Sequence, residues 1–332
     1  MSTIAVRPWQ SLFRSLPAFG PELGLLIAGL GLFVLMPDDL GFGTRILIGM
    51  IFALSLDLVL GYAGIVTLGH AAMFGIGAYG AGIFAVRVSG DPLLGLIVGA
   101  GAGAATAALS GLLVLRSHGL TSVMVTLAIA QLLMEVASKA RFLTGGDDGL
   151  SGITTTPLFG VFEFDFLGRT GFLYALAVLV ITFAVLRRVT RSPFGLTCIG
   201  IREDRGRMSS LGRRVNRHLW LVYTLGGSFA GVAGAISAQV TQVVGLSSLS
   251  FVHSAEVLVM LVLGGTGRLW GAIVGTAVFM IVHHYAAAVD PLRWMLFIGV
   301  LLLAVVLIMP GGITAAVARA MGRLQGHRGS QA

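Results

Sequence analysis

The sequence predicts an all-α, polytopic membrane protein with about 10 transmembrane or re-entrant helices and both termini in the cytoplasm. The first observation behind this is composition: the 332 residues are 56% apolar and only 11% charged, more apolar than a soluble domain of this size needs. The second is charge distribution, because residues 187–218 carry nine arginines against Glu203 and Asp204. Short arginine-rich loops stay in the cytoplasm, so this stretch orients the chain.

Apolar runs near the roughly 20 residues that cross a bilayer define the candidate helices. They lie at 22–36, 44–61, 67–86, 93–115, 119–138, 171–186, 219–240, 253–264, 269–288 and 294–309. The runs at 67–86 and 253–264 are expected to be broken or re-entrant, which a bilayer tolerates only where protein or a water-filled cavity satisfies the freed backbone. Ten crossings, or eight with two re-entrant segments, give the same orientation.

The arginine distribution divides a single transmembrane domain covering residues 1–332. Residues 1–21 and 310–332 are predicted cytoplasmic tails, 139–170 an external loop, and 187–218 a cytoplasmic loop. Within the external loop, the alternating FEFDF at 162–166 suits a short strand or an interfacial aromatic patch.

Several function classes are disfavoured by the residues. The net charge of +8 comes from arginines in short loops and tails, which topology explains without a nucleic-acid partner. A phosphate-binding GxxxxGK[ST] loop needs a lysine after a glycine, but the only lysine, Lys139, follows Ser138. ATP hydrolysis would therefore require a partner. Cys198 is the single cysteine, so no internal disulfide is possible, and no catalytic or metal-site spacing is found.

The glycine-rich stretch at 61–82 is the candidate substrate pathway. Each glycine costs a helix roughly 1 kcal/mol relative to alanine, so an unwound stretch is expected there. Its free amides and carbonyls suit the two charges of a zwitterion. The alternative is that the glycines only permit tight helix packing. The candidate pathway residues are Asp57, Gly61, Gly64, Thr67, Gly69, His70, Gly75, Gly77 and Tyr79.

Apart from Glu22, which begins the first run, three acidic residues fall inside predicted spans, namely Asp57, Glu135 and Glu256. Charged groups are costly in hydrocarbon and are functional candidates by default. The alternative is a buried carboxylate hydrogen-bonded to a neighbouring helix.

Five sequence blocks, in order, resemble the branched-chain amino acid (LivM-type) permease family of ABC importers. They are LDLVLGYAGIVTLGHAAMFGIGAYGAG at 56–82, VTLAIAQLLMEV with LTGGDDGLSGI at 125–153, GIREDRGRMSSLGRRV at 200–215, FAGVAGAISA at 229–238 and VLVMLVLGGTGRLWGAIVGTAV at 257–278. In the third block, Met208, Ser209 and Ser210 depart from the small-Glu-Ala run that is typical of the family.

The resemblance implies a permease subunit of an ATP-driven, binding-protein-dependent importer in the bacterial plasma (inner) membrane, carrying branched-chain or other hydrophobic amino acids. It implies a homologous LivH-type permease, two cytoplasmic ABC ATPases that bind ATP and Mg, and a periplasmic or extracellular substrate-binding protein; this chain itself needs no cofactor. The residues that it assigns to ATPase coupling are Arg202, Glu203, Asp204, Arg207, Leu211 and Gly212. A solvated basic loop that serves only topology is the alternative reading of that segment.

Residues 200–214 are expected to form one short helix with Glu203 and Asp204 in its first turn, where acids suit the helix dipole. Bulk at Gly64, Gly69 or Gly77 is expected to obstruct transport without affecting assembly. Two other functions remain open: the same kind of importer for urea or short-chain amides, and a proton-coupled secondary transporter that uses Asp57, Glu135 and Glu256 as a relay.

Overall fold

The computed structural model describes residues 20–35, 39–117, 119–157, 168–289, 299 and 311–314. Within them the fold is helical, and the β-pairing is one isolated bridge between Leu150 and Val244. The α-helices, in chain order, are α1 (Gly20–Leu35), α2 (Leu40–Leu56), α3 (His70–Arg87), α4 (Pro92–Val114), α5 (Leu120–Lys139), α6 (Arg141–Thr144), α7 (Arg169–Arg191), α8 (Pro193–Glu203), α9 (Arg205–Ser210), α10 (Val215–Thr241), α11 (Phe251–Gly264) and α12 (Leu269–Val289). A π-helical turn, Asp57–Tyr62, extends α2, and short 3-10 turns lie at Gly146–Asp148 and Leu246–Leu249.

Six helices of the described part are long and apolar enough to cross a membrane, which confirms a polytopic all-α protein. They are Leu40–Tyr62, Pro92–Val114, Leu120–Lys139, Arg169–Arg191, Val215–Thr241 and Leu269–Ala288. Glu22–Phe33 and Phe251–Gly264 are apolar but shorter. The predicted span at 294–309 and the FEFDF segment lie outside the described residues. The count of ten crossings therefore stays a prediction.

Several helix starts follow directly from the sequence. Asp91 caps α4, where its carboxylate accepts from the Leu93 amide at 2.9 Å, and Pro92 occupies the first helical position. Ser250 caps α11 in the same way, accepting from the His253 amide at 3.3 Å. Such caps satisfy backbone donors that a helix start leaves free. They fix where these helices begin inside an apolar sequence.

Contacts between helix ends support the predicted alternation of the spans. At one end, Arg187 donates to both carboxylate oxygens of Glu22, at 2.5 and 2.6 Å. At the other end, the Pro92 carbonyl accepts from Tyr174 and Gln239, at 3.3 and 2.9 Å. The contact between Arg187 and Glu22 joins α7 to α1 at the arginine-rich end of the bundle. Its assignment to the cytoplasm rests on the arginines and stays a prediction.

Glycines bring the central helices into backbone contact. A β-carbon on Gly231 of α10 would overlap the Gly99 carbonyl of α4, and one on Gly77 of α3 would overlap the Gly231 backbone. The Gly264 and Gly275 backbones meet in the same way between α11 and α12. Close approach of this kind is the usual role of small residues in membrane helices. α10 therefore lies at the centre, directly against α3 and α4.

Candidate functional site

The glycine-rich stretch is unwound over a shorter range than the sequence predicts. Residues 63–69 are non-helical, but α3 is continuous from His70 to Arg87. The expected unwinding as far as residue 82 is therefore wrong. The physical reason is packing: Gly75 fits against Leu249 and Gly77 against Gly231, so close contact with neighbours offsets the helix cost of glycine.

The unwound residues carry α3 to a start inside the membrane. The His70 ring nitrogen Nε2 lies 2.8 Å from the Ser55 hydroxyl of α2. Ser55 is seven residues before the end of the span Leu40–Tyr62, or roughly 10 Å along a helix. α3 therefore begins well inside the bilayer and runs to the opposite surface as a partial span.

α11 is a second partial span, and its first turn meets that of α3. The Ser254 hydroxyl accepts from the Ala71 amide at 2.9 Å, and the His253 ring stacks on Phe52 at a centroid separation of 5.2 Å. The predicted broken segment at 253–264 is thus one unbroken helix whose start, rather than whose middle, lies in the bilayer. We call the group at these two helix starts the central cluster: Phe52, Ser55, His70, Phe74, His253 and Ser254.

The central cluster is aromatic and polar, and only part of it is accessible. His70 and Ser254 are 0% and 1% exposed, whereas His253 and its partner Glu256, 3.4 Å away, each have about a third of the side chain exposed (32% and 31%). Phe251 and Val252, in the first turn of the same helix, are exposed, as is Val66 in the non-helical stretch before α3. The cluster therefore reaches the protein surface on one side, where an ionisable pair faces outward at membrane depth.

A second polar group lies toward the arginine-rich end, which we call the Asp57 junction: Asp57, Gly61, Arg202 and Gly267. Asp57 is completely buried, and its Oδ1 accepts from the Gly267 amide at 2.6 Å. Arg202 donates from its guanidinium to the Gly61 carbonyl. Gly61 lies in the π-helical turn and Gly267 in the loop between α11 and α12. Three separate parts of the chain therefore meet here.

The coupling segment consists of two short helices instead of the single one predicted for 200–214. α8 ends at Glu203, and Asp204 caps α9 by accepting from the Arg207 amide at 2.9 Å. The placement of Glu203 in a first turn is wrong, since it closes α8. Asp204 is extended and favours a new helix because its side chain can bond the free amides of a helix start.

One side of the coupling segment is buried against the membrane helices and the other side is exposed. Ile201 and Cys198 are buried in the core, and Met208 packs against it. All six predicted coupling residues are exposed: Arg202, Glu203, Asp204, Arg207, Leu211 and Gly212. Gly212 has φ +78°, which favours glycine, and the position that a β-carbon would take there is open space. The segment is thus anchored on one side and free for a partner on the other.

The predicted pathway residues fall into three groups. Thr67, Gly69 and His70 adjoin the central cluster; Asp57, Gly61 and Gly64 lie at the Asp57 junction; and Gly75, Gly77 and Tyr79 lie on α3. A β-carbon on Gly64 would lie 2.9 Å from Arg202 Cγ, and one on Gly69 or Gly77 would overlap backbone. Bulk at these positions would therefore displace backbone or Arg202, so the structure predicts impaired assembly where the sequence predicts none.

The three acidic residues of the proposed proton relay lie in separate environments. Asp57 bonds Gly267, Glu256 pairs with His253, and Glu135 pairs with Lys139 at 3.3 Å on an exposed face. Their contacts form no chain between them, so the geometry does not favour a relay. Glu135 was predicted as an intramembrane group, but it lies in the last turn and a half of α5, next to Lys139.

Sequence reasoning missed the residues that join elements over long distances in the chain. Phe52, Ser55, Ser254 and Gly267 are not among the residues that the sequence singles out. One signal was available: Ser250 three residues before His253 is an N-cap pattern that marks the start of α11. The contacts themselves, such as Ala71 with Ser254, have no local signature.

Six long apolar helices define a multi-pass membrane protein, and helices that begin inside the bilayer are typical of transporters. The chain belongs to the family described as branched-chain amino acid transport system / permease component, which matches residues 40–306. The family resemblance noted in the sequence is thereby confirmed.

Similar proteins include two LivM proteins, both described as high-affinity branched-chain amino acid transport system permease proteins. The Salmonella typhimurium protein is 29% identical over 319 residues, 87% of this chain and 73% of the relative. The Escherichia coli protein is 28% identical over 312 residues, 85% of this chain and 71% of the relative. The autoinducer 2 import system permease protein LsrC of Klebsiella pneumoniae is 28% identical over 225 residues, 65% of this chain and 62% of the relative. No solved structure matches the chain.

Proposed function

We propose that this chain is the membrane-spanning permease subunit of an ATP-driven, binding-protein-dependent importer for branched-chain or other hydrophobic amino acids. The proposal places it in the bacterial inner membrane with a homologous LivH-type permease, two cytoplasmic ABC ATPases and an external binding protein. Family membership and the LivM relatives support the substrate class. ATP and Mg belong to the ATPase partners.

The observation that carries the proposal is the meeting of two helix starts inside the bilayer. The first turns of α3 and α11 are joined through Ala71 and Ser254. Helix starts concentrate partial positive charge, which stabilises the carboxylate of a passing amino acid. The exposed Phe251 and Val252, in the first turn of α11, offer an apolar surface beside it. A hydrophobic zwitterion matches both features.

The exposed side of the central cluster supports a path shared with a second permease. The His253 and Glu256 pair is partly exposed at the level of Phe52, and ionisable groups facing lipid at this depth are costly. Such groups normally face a water-filled cavity or another protein. The path is therefore placed beside His253 and Glu256, with the predicted residues Thr67, Gly69 and His70 buried behind them.

The coupling segment supports an ATPase partner. α9 and the turn after it are exposed and rich in arginine, while α8 is anchored in the core. Gly212→Trp is expected to insert normally, because the position faces open space, but to lower uptake relative to ATP hydrolysis. Because φ is positive at this position, the tryptophan also strains the backbone, which costs about 1–3 kcal/mol of stability. Unchanged uptake would argue against this contact, and Arg116→Gln, on another exposed loop, is the control.

The decisive experiment uses the chain copurified with the products of neighbouring genes and reconstituted in vesicles. ATP hydrolysis is measured with the binding protein and leucine, valine, urea, acetamide or autoinducer 2. We expect stimulation and uptake with the branched-chain amino acids. Stimulation by urea or acetamide alone would assign the same machine to amides. Uptake driven by a pH gradient without ATP would overturn the ATP-driven proposal.

A further inference from the structure

We propose that Asp57 and Arg202 are positioning residues that relay movement of the coupling segment to the central cluster, and that Asp57 does not contact the substrate. This inference rests on the proposed function for its direction, from ATPase to membrane. It changes the role that the sequence suggests for Asp57.

The first step is the environment of Asp57. Its side chain is 0% exposed, and Oδ1 is engaged by the Gly267 amide at 2.6 Å. A β-carbon added to Gly61 would overlap this carboxylate, so helix backbone covers it on that side. A carboxylate enclosed in this way binds protein backbone and is closed to a passing ligand.

The second step is the link from Asp57 to the coupling segment. Arg202, in the last turn of α8, donates to the Gly61 carbonyl, four residues after Asp57 on the π-helical turn. The Arg202 side chain also lies against Gly64 and Gly267. Its neighbour Ile201 is completely buried, so α8 is fixed to the membrane helices at this point. Movement of α8 therefore reaches the end of α2 and the loop before α12 together.

The third step is the short distance from the Asp57 junction to the central cluster. Ser55, which holds His70 at 2.8 Å, is two residues from Asp57, or about 3 Å along a helix. On the other side, α11 connects the loop containing Gly267 to Ser254. Each element held at the junction thus holds one of the two helix starts. Packed elements of this kind move as units, so the junction is placed to open or close the cluster.

The test compares variants of the assembled importer that remove one bond while conserving volume. Asp57→Leu removes the acceptor for the Gly267 amide, and Arg202→Met removes the donor to Gly61. Asp57→Asn and Arg202→Lys retain these groups. Thr44→Val, buried in the same helix and bonded only to its own turn, is the matched control.

We expect Asp57→Leu and Arg202→Met to lower uptake more than ATP hydrolysis, so that ATP consumed per substrate rises about fivefold or more. The conservative variants should recover part of the loss, and the double variant should be no worse than the poorer single. A rise in the KM for uptake at unchanged coupling would instead place Asp57 at the substrate and overturn the proposal. So would parental coupling in Arg202→Met, whose exposed position makes it decisive if Asp57→Leu does not assemble.

A second readout needs no substrate and separates this inference from the proposed function. Val252→Cys, in a Cys198→Ser background, places a thiol on the exposed side of the cluster. Its reaction rate with a methanethiosulfonate reagent should change on nucleotide binding in the parental importer and stay constant in Arg202→Met. An equal change in both refutes the relay, even if leucine proves not to be the substrate.

Discussion

The hydrogen bond between the Ala71 amide and the Ser254 hydroxyl joins the two helix starts of the central cluster. Its contribution to the stability of the protein can be measured. Both groups are buried, Ala71 at 0% and Ser254 at 1% exposure, and they are 2.9 Å apart. The amide lies in the first turn of α3, where no helical carbonyl precedes it. Ser254→Ala leaves this donor without its acceptor, which costs about 1–3 kcal/mol. We therefore expect a lower free energy of unfolding by that amount.

The matched control is Thr276→Val. Thr276 is 0% exposed, and its hydroxyl donates at 2.8 Å to the Ala272 carbonyl one turn earlier in the same helix. That carbonyl has a helical partner already, so the replacement leaves no new unpaired group. Unfolding of both variants would be followed in mixed micelles by increasing the denaturing detergent. Equal stability of the two variants, within about 0.5 kcal/mol, would refute the proposed joining of the two helix starts.

Three other features lead to predictions. Glu22→Gln removes the carboxylate that pairs with Arg187, which is only 8% exposed. We expect the free energy of unfolding, measured in the same micelles, to fall by about 3 kcal/mol. A loss below roughly 0.5 kcal/mol would show that the pair is solvated. Gly77→Leu should reduce the yield of assembled complex on gel filtration because a β-carbon overlaps the α10 backbone, whereas Gly101→Leu, in open space, should assemble normally. Burial raises the pKa of the Cys198 thiol from 9.0 to about 11. Its thiolate fraction at pH 8 is therefore roughly 100-fold lower than that of a free thiol, and the rate of maleimide labelling should increase as the pH rises toward 11. Rapid labelling at pH 7 would contradict the burial of Cys198.

The positions of the membrane helices could be predicted from the sequence because hydropathy is a local property. The predicted span at 93–115 differs by one residue at each end from Pro92–Val114, where Asp91 and Pro92 mark the start. The span at 219–240 begins four residues late, because the polar first turn of α10 continues beyond the apolar run. Local composition therefore predicts where the apolar part of a helix lies, and capping residues predict where the helix begins.

The depth at which a helix begins was harder to predict. The glycines at 61–82 indicated irregular backbone, but only residues 63–69 are non-helical. Gly75 and Gly77 remain helical because Leu249 and Gly231 fill the space beside them, and these partners lie more than 150 residues away in the chain. A glycine that permits unwinding and one that permits contact look the same in sequence. Which of the two occurs depends on tertiary packing.

An acidic residue in an apolar span likewise does not by itself identify a substrate contact. Asp57, Glu135 and Glu256 are alike in sequence, yet one binds a loop amide in the core, one forms an exposed pair with Lys139, and one lies with His253 at the edge of the central cluster. A fully buried carboxylate is suited to holding the backbone in place, whereas a partly exposed carboxylate can contact a ligand or a partner. Of the three, Glu256 therefore has the environment expected along the transport path, and Asp57 has that of a mechanical link two residues from Ser55. The role of each acid follows from the group it binds and from its access to water.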